Sequence, residues 1–165
     1  MNCRNCRKNF FFQILDLGIQ PLANEYLQSS IAKEKKYPLI LVVCKNCWLV
    51  QTRHNIKKEQ IFKKNYSYFS SYSKSWLEHS KKYTIEMVNF FKKKKFNVLE
   101  IACNDGYLLQ FFLKKKINCL GVEPTKSTAA VARKKNIPVI GKFFDFTLSS
   151  SIKKKIWSLS ANNFK

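Results

Sequence analysis

The sequence predicts an α/β protein in which a small β module precedes a region of alternating strands and helices. Two Cys-x-x-Cys pairs frame the first module. In residues 97–109 an apolar run ends at the acid Glu100, passes through small residues and restarts with the period of a helix. Glu123 closes the next predicted strand, about 20 residues further on. This order of strand, loop, helix and second strand is typical of a Rossmann-like βαβ unit.

The cysteine pairs predict a four-thiolate metal site. Two intervening residues let both sulfurs of a pair face one point, and two pairs supply the tetrahedral set that Zn²⁺ prefers. Because protein would fill all four positions, we expect a structural zinc rather than a catalytic one. The 37 residues between the pairs exceed the usual zinc-ribbon gap. The predicted ligands are Cys3, Cys6, Cys44 and Cys47, and four buried cysteines without metal are the alternative.

The remaining elements follow from periodicity and turn residues. In the first module we expect β segments at 9–15, 37–43 and 48–51, and a turn at 17–24. Further on we expect strands at 97–101, 118–123 and 138–140, helices at 106–115 and 126–135, a short helix at 152–157 and a fourth strand from 157. The predicted domains are a zinc-binding domain at 1–60, a linker and helix at 61–95, and a partial Rossmann-like domain at 96–165.

Residues 66–73, here named the tyrosine segment, read Tyr-Ser-Tyr-Phe-Ser-Ser-Tyr-Ser. They form either a surface loop or a strap over a ligand pocket, where Tyr68 would contact the ligand. The next helix is predicted at 75–95, with Ser73 or Ser75 as its cap and an aromatic face that includes Trp76, Tyr83 and Phe90.

The loop after the strand at 97–101 carries the chemistry. Glu100-x-Ala102-x-Asn104-x-Gly106 has the spacing of the ExGxGxG loop of class I S-adenosylmethionine (SAM) methyltransferases, with Ala and Asn in two glycine places. In a dinucleotide site such a loop holds a pyrophosphate, and in a SAM site it holds the methionine end and the ribose. Glu100 would orient the amino-acid part of the ligand.

The second acid and two later aromatics complete this predicted site. Glu123 would accept hydrogen bonds from both ribose hydroxyls, a bidentate role that suits a carboxylate. Phe143 and Phe144 could flank the adenine.

Charge and composition leave a second class of function open. The net charge is +21, and 27 of the 31 basic residues are lysines that often come in runs. These runs predict either solvated helix ends or a polyanion-binding surface. A nucleic-acid partner is disfavoured because base readers rely on arginine. We expect no membrane span and no signal peptide, and six cysteines in that setting favour a cytoplasmic location.

Several motifs together resemble the N-terminal half of the zinc-containing, SAM-dependent sugar C-methyltransferases, which act on nucleotide-bound 4-ketohexoses. The motifs are Cys-x-x-Cys at 3–6, Leu-Gly-Ile-Gln-Pro-Leu-Ala-Asn at 17–24, Pro-Leu-x-Leu-x-Val-Cys-x-x-Cys at 38–47, the tyrosine segment, Leu-Glu-Ile-Ala-Cys-Asn-Asp-Gly-Tyr-Leu-Leu at 99–109 and Gly-Val-Glu-Pro at 121–124.

The resemblance implies a SAM-binding Rossmann-like core and methyl transfer to the sugar carbon beside the keto group. It implies a nucleotide-linked sugar as substrate, with the catalytic and sugar-binding groups beyond residue 165, because family members are more than twice as long. The chain would then be truncated, act with a complementary polypeptide, or be an inactive remnant. The expected cofactor contacts are Tyr68, Glu100, Ala102, Cys103, Asn104, Asp105, Gly106, Glu123, Pro124 and Phe144.

Overall fold

The computed structural model describes residues 1–27, 29–91 and 95–161, with side chains up to residue 153. The described chain forms two compact units, Met1–Lys63 and Lys64–Lys165. The first is an antiparallel sheet and the second is built around a parallel sheet, so the mixed α/β class is confirmed. No helix among the described residues is long and apolar enough to cross a bilayer.

The first unit is a three-stranded sheet with the order β1-β2-β3. Its strands are β1 (Phe11–Pro21), β2 (Lys36–Cys44) and β3 (Val50–Thr52), and a short helix α1 (Lys58–Ile61) follows. The buried residues of β2 are its last three, Val42 to Cys44, so its apolar face is covered next to the second cysteine pair.

The predicted turn at 17–24 is wrong over its first five residues, because β1 continues to Pro21. The pairing shifts register between Asp16 and Ile19 and then resumes, with Ile19 opposite Pro38. At the shift, Gly18 has φ +69° and donates its N–H to the Asp16 carboxylate at 2.8 Å. The glycine that suggested a turn is therefore part of a bulge inside a long strand.

The second unit alternates helices with the three parallel strands of a sheet ordered β4-β5-β6. A 3₁₀ turn at Ser70–Tyr72 comes first. The elements are then α2 (Lys74–Phe91), β4 (Val98–Ile101), α3 (Leu109–Lys114), β5 (Cys119–Val122), α4 (Lys126–Lys134), β6 (Val139–Ile140) and α5 (Phe146–Ala161). These bounds confirm the predicted strands at 97–101, 118–123 and 138–140 to within a residue or two at each end.

One predicted strand is wrong, and one predicted helix face is buried only in part. The residues from 157 onward, predicted as the start of a strand, continue α5 to Ala161. On the predicted face of α2, Met87, Val88 and Phe91 are half-buried, while Trp76, Tyr83 and Phe90 are exposed in this chain. The fully buried residues of α2 are Ser80 and Thr84. Each of the two buried hydroxyls donates to the carbonyl four residues earlier, so the helix backbone satisfies them.

The start of α2 agrees with the sequence: the Trp76 N–H donates to Ser73 Oγ at 3.3 Å, as expected of an N-cap. The predicted lysine-rich end at 92–95 lies mainly outside the described residues.

The core of the second unit lies between the sheet and α3. Cys103, Leu109 and Ile137 are fully buried, and Val98, Leu113, Cys119 and Val139 pack against them. Helix α3 packs on β4 and β5, α4 packs on β6, and α2 packs on α3. Because α3 begins just after the loop at 102–108, the packing of its first turn also holds that loop in place.

Candidate zinc and cofactor sites

The four predicted zinc ligands come together in the first unit. Their sulfur atoms all lie within 4.8 Å of one another, with 3.5 Å between Cys3 and Cys47 and 3.5 Å between Cys6 and Cys44. Zinc–sulfur bonds of about 2.3 Å in a tetrahedron require sulfurs about 3.8 Å apart, so the cluster fits Zn²⁺. Cys3 and Cys44 are fully buried, and the other two are half-buried.

The two cysteine turns share one backbone geometry. The N–H of Cys3 donates to Lys8 O at 2.8 Å, and the N–H of Cys44 donates to Leu49 O at 3.0 Å, in each case five residues on. Four residues after each first cysteine stands a residue with positive φ, Arg7 at 64° and Trp48 at 61°. Two equivalent turns that present two sulfurs each are what a closed structural site needs.

In the second unit, the predicted loop lies at the carboxyl ends of β4 and β5. The N–H groups of Ala102 and Cys103 donate to Val122 O at 2.8 and 3.2 Å, which holds the loop against the end of β5. The three places that are glycine in ExGxGxG all have positive φ: Ala102 at 60°, Asn104 at 49° and Gly106 at 76°. The chain thus keeps the backbone conformation that the glycine pattern serves, although two of the glycines are replaced.

Glu123 is 4% exposed and hydrogen-bonds within the protein. Its Oε2 accepts the Asn104 N–H at 3.0 Å, and its Oε1 accepts the N–H and the hydroxyl of Thr125 at 2.9 and 2.7 Å. In this structure the acid holds the loop and the start of α4. A carboxylate accepts about four hydrogen bonds, and three positions are already used. The one that remains, on Oε2, is fewer than the two that the predicted contact with both ribose hydroxyls needs.

Glu100 lies at the same edge and has an unusual environment. Burial raises the pKa of its carboxyl group to about 7, and the nearby charges of Asp105 and Glu123 add to the increase. The Tyr107 side chain and the Leu109 N–H hydrogen-bond to this carboxyl group and partly oppose the increase. Among the described residues, Glu100 Oε2 and Asp105 Oδ1 are the buried carboxylate oxygens without a hydrogen-bond partner. Two such oxygens suit a ligand that brings N–H groups or positive charge.

The other predicted contact residues differ in their exposure. Cys103, Asn104, Asp105 and Gly106 are buried, Pro124 is half-buried, and Ala102, Tyr68 and Phe144 are exposed. Sequence reasoning missed Thr125, Tyr107 and Lys135, whose ammonium group donates to Asp105 O at 2.8 Å. A threonine before a helix is a common capping signal and could have indicated Thr125. The positions of Tyr107 and Lys135 gave no comparable signal.

A substitution at Gly106 tests whether the loop conformation depends on glycine. A Cβ at this position would lie 2.4 Å from Ile137 Cδ1 and 3.3 Å from Ala132 Cβ, at a φ that disfavours side chains. We expect Gly106→Ala to lower the free energy of unfolding by about 2–4 kcal/mol through strain and overpacking.

Urea denaturation followed by circular dichroism measures the effect. Gly141→Ala is the matched control, because its Cβ would meet only the end of the Arg133 side chain at 3.2 Å. Equal stability of the two variants would contradict the tight packing of Gly106.

Comparisons with known proteins agree with the zinc site and with a methyltransferase-like chain. Residues 3–62 match the Methyltransf_13 family model, described as a putative zinc binding domain. The chain is 28% identical over 155 residues to C-methyltransferase NovU of Streptomyces niveus, an alignment that covers 91% of this chain and 36% of that relative. The chain therefore spans about a third of the relative's length. The two matches support the resemblance of this chain to the zinc-containing sugar C-methyltransferases.

Proposed function

We propose that this chain supplies the zinc-binding module and the SAM-binding part of a C-methyltransferase that acts on a nucleotide-linked keto sugar. The observation that carries the proposal is the loop at 102–106. It combines positive φ at all three glycine places with unpaired buried oxygens of Glu100 and Asp105, at the carboxyl edge of a parallel sheet. Ligands bind at that edge in Rossmann-like folds, and the strand order β4-β5-β6 is compatible with half of such a fold.

The charge of the site fits SAM, whose amino and sulfonium groups are positive. The Glu100 carboxylate would orient the amino group, and the exposed backbone at Ala102 would let the ligand approach closely. Tyr68 and Phe144 are half-exposed and could contact the ribose and the adenine. Glu123 would contribute mainly by holding the Asn104 N–H, with one ribose hydroxyl as an additional donor.

When bound, SAM would supply a methyl group made electrophilic by the sulfonium. This chain's residues would bind and orient it, while Zn²⁺ would remain structural. The base that removes the proton beside the keto group, and the groups that hold the sugar nucleotide, are proposed to lie on polypeptide outside these residues.

We would expect a partner segment of that kind beside the edge strand of the sheet. Strand β4 is at the edge of the sheet that the structure describes, and its Leu99 and Ile101 are 37% and 50% exposed. Parallel sheets are normally covered on both faces, so further polypeptide would be expected to pack against β4.

Calorimetric titration of the zinc-loaded chain with SAM tests the proposal. We expect saturable binding at one site, weakened at least tenfold, about 1.4 kcal/mol, in a Glu100→Ala variant that loses the ionic contact. Absence of binding by the folded protein would refute the SAM-binding function.

A titration with duplex DNA at several salt concentrations addresses the alternative, a basic zinc-stabilised module that binds polyanions. Tight binding that weakens steeply with salt, without SAM binding, would favour that alternative.

A further inference from the structure

Asn104, which the sequence suggested as a ligand contact, directs its side chain at the tyrosine segment instead. Its Oδ1 accepts the Ser70 N–H at 2.9 Å, and its Nδ2 donates to Tyr68 O at 3.0 Å. A side-chain amide carries the same donor and acceptor as a peptide group, so Asn104 pairs with this backbone as a neighbouring strand would. The residue is 9% exposed, its hydrogen bond with Ser70 is buried, and its hydrogen bond with Tyr68 O is partly buried.

Asp105 makes the adjacent contact. Its Oδ2 accepts the Ser71 N–H at 3.3 Å and also the Ser71 hydroxyl. Lys135 Nζ lies 3.8 Å from the same oxygen, which supplies a positive charge beside a carboxylate with a 1% exposed side chain. The first residue of the tyrosine segment is held at α4, where the Ser127 hydroxyl donates to Tyr66 O at 2.8 Å. The tyrosine segment is therefore fixed at two places along the edge of the sheet.

We propose that Asn104 and Asp105 are positioning residues that join the tyrosine segment to the loop at 102–106, so that the loop conformation and the placement of Tyr68 depend on each other. This inference deepens the proposed function, because it names the groups that set the geometry of the SAM site without contacting SAM through the Asn104 side chain.

The residue type at 104 fits this role. The position needs φ > 0, which Asn tolerates better than most residues other than Gly. It also needs a donor and an acceptor on one planar group, which Gly lacks and an ionised Asp offers only in part. The negative charge of an ionised Asp at 104 would in addition be repelled by the Tyr68 carbonyl, which it would face. It would also lie near the Glu123 carboxylate, which accepts the N–H of residue 104.

The experiment compares Asn104→Gly and Asn104→Asp by hydrogen exchange without SAM and by calorimetric titration with SAM. We expect both variants at pH 8 to lower the protection factor of the Ser70 N–H about tenfold or more, and SAM affinity about tenfold. At pH 5 the introduced carboxyl group can be protonated and regain a donor, so Asn104→Asp should recover protection while Asn104→Gly should not.

The controls are Asn136→Gly and Asn136→Asp, which change a second Asn with positive φ, at 63°, that lies exposed after α4. They should leave the Ser70 protection factor and SAM affinity unchanged. Undiminished Ser70 protection in Asn104→Gly, or lost protection with unchanged SAM affinity, would overturn the inference and leave the proposed function intact. If the parent chain fails to bind SAM, the proposed function fails, and the Ser70 protection factors alone decide whether Asn104 holds the segment.

Discussion

Replacing Cys44 with serine is expected to abolish zinc binding and to unfold the first unit of the chain. Cys44 is fully buried at the end of β2, and its sulfur is 3.5 Å from that of Cys6. A sheet of three strands with many exposed apolar side chains on β1 has little core of its own. Structural zinc contributes on the order of 10 kcal/mol to folding in comparable small domains, so its loss exceeds the stability that the sheet can supply.

Zinc content and hydrogen exchange measure this effect together. Cys44→Ser should reduce bound zinc from about one equivalent to none, in line with a site that needs four protein ligands. The amides of β2 should lose protection, and excess chelator should do the same to the unmodified protein. Cys119→Ser is the matched control, because Cys119 is half-buried in β5 and lies outside the cluster. Retention of zinc, or of protected β2 amides without zinc, would refute a structural metal.

Replacing Glu100 with glutamine is expected to stabilise the ligand-free protein while weakening its affinity for SAM. The pKa of the folded carboxyl group is raised from 4.5 to about 7. Between these values the folded state binds more protons than the unfolded state, so stability falls as pH rises and the cost is complete above about pH 7. Glutamine removes that cost, and we expect a gain of about 1–3 kcal/mol at pH 8 after allowance for solvent screening.

SAM binding should show the opposite dependence on pH. A cationic ligand favours the ionised carboxylate, so the affinity of the unmodified chain should rise as pH increases through about 7. Glu100→Gln should bind at least tenfold more weakly, about 1.4 kcal/mol, and without this rise. Denaturant titrations and SAM titrations from pH 5 to pH 8 measure both effects. Glu86→Gln, which changes an exposed carboxylate on α2, is the control, and parallel pH profiles for Glu100→Gln and the parent would contradict the assignment.

Site residues could be predicted from the sequence wherever their chemistry depends on residues that are a few positions apart. Two residues between cysteines limit where their sulfurs can point, and an acid at the end of an apolar strand lies at the carboxyl edge of a parallel sheet. The four cysteines were found in this way, and the position of Glu100 at that edge was predicted in the same way. Periodicity failed for the end of α5, where an amphipathic helix and a short apolar strand have similar patterns.

The sequence by itself determined the cysteine spacing, the alternation of strands and helices from 97 to 140, and the loop whose glycine places require φ > 0. Only the tertiary structure decided that Asn104 pairs with the backbone of Tyr68 and Ser70, that Glu123 holds the loop, and that Gly18 lies within a strand. The physical reason is the distance along the sequence between the residues that interact. Spacing and periodicity act over a few residues, whereas the Asn104 contacts join residues 34 to 36 positions apart and exist only after the sheet and α3 have packed.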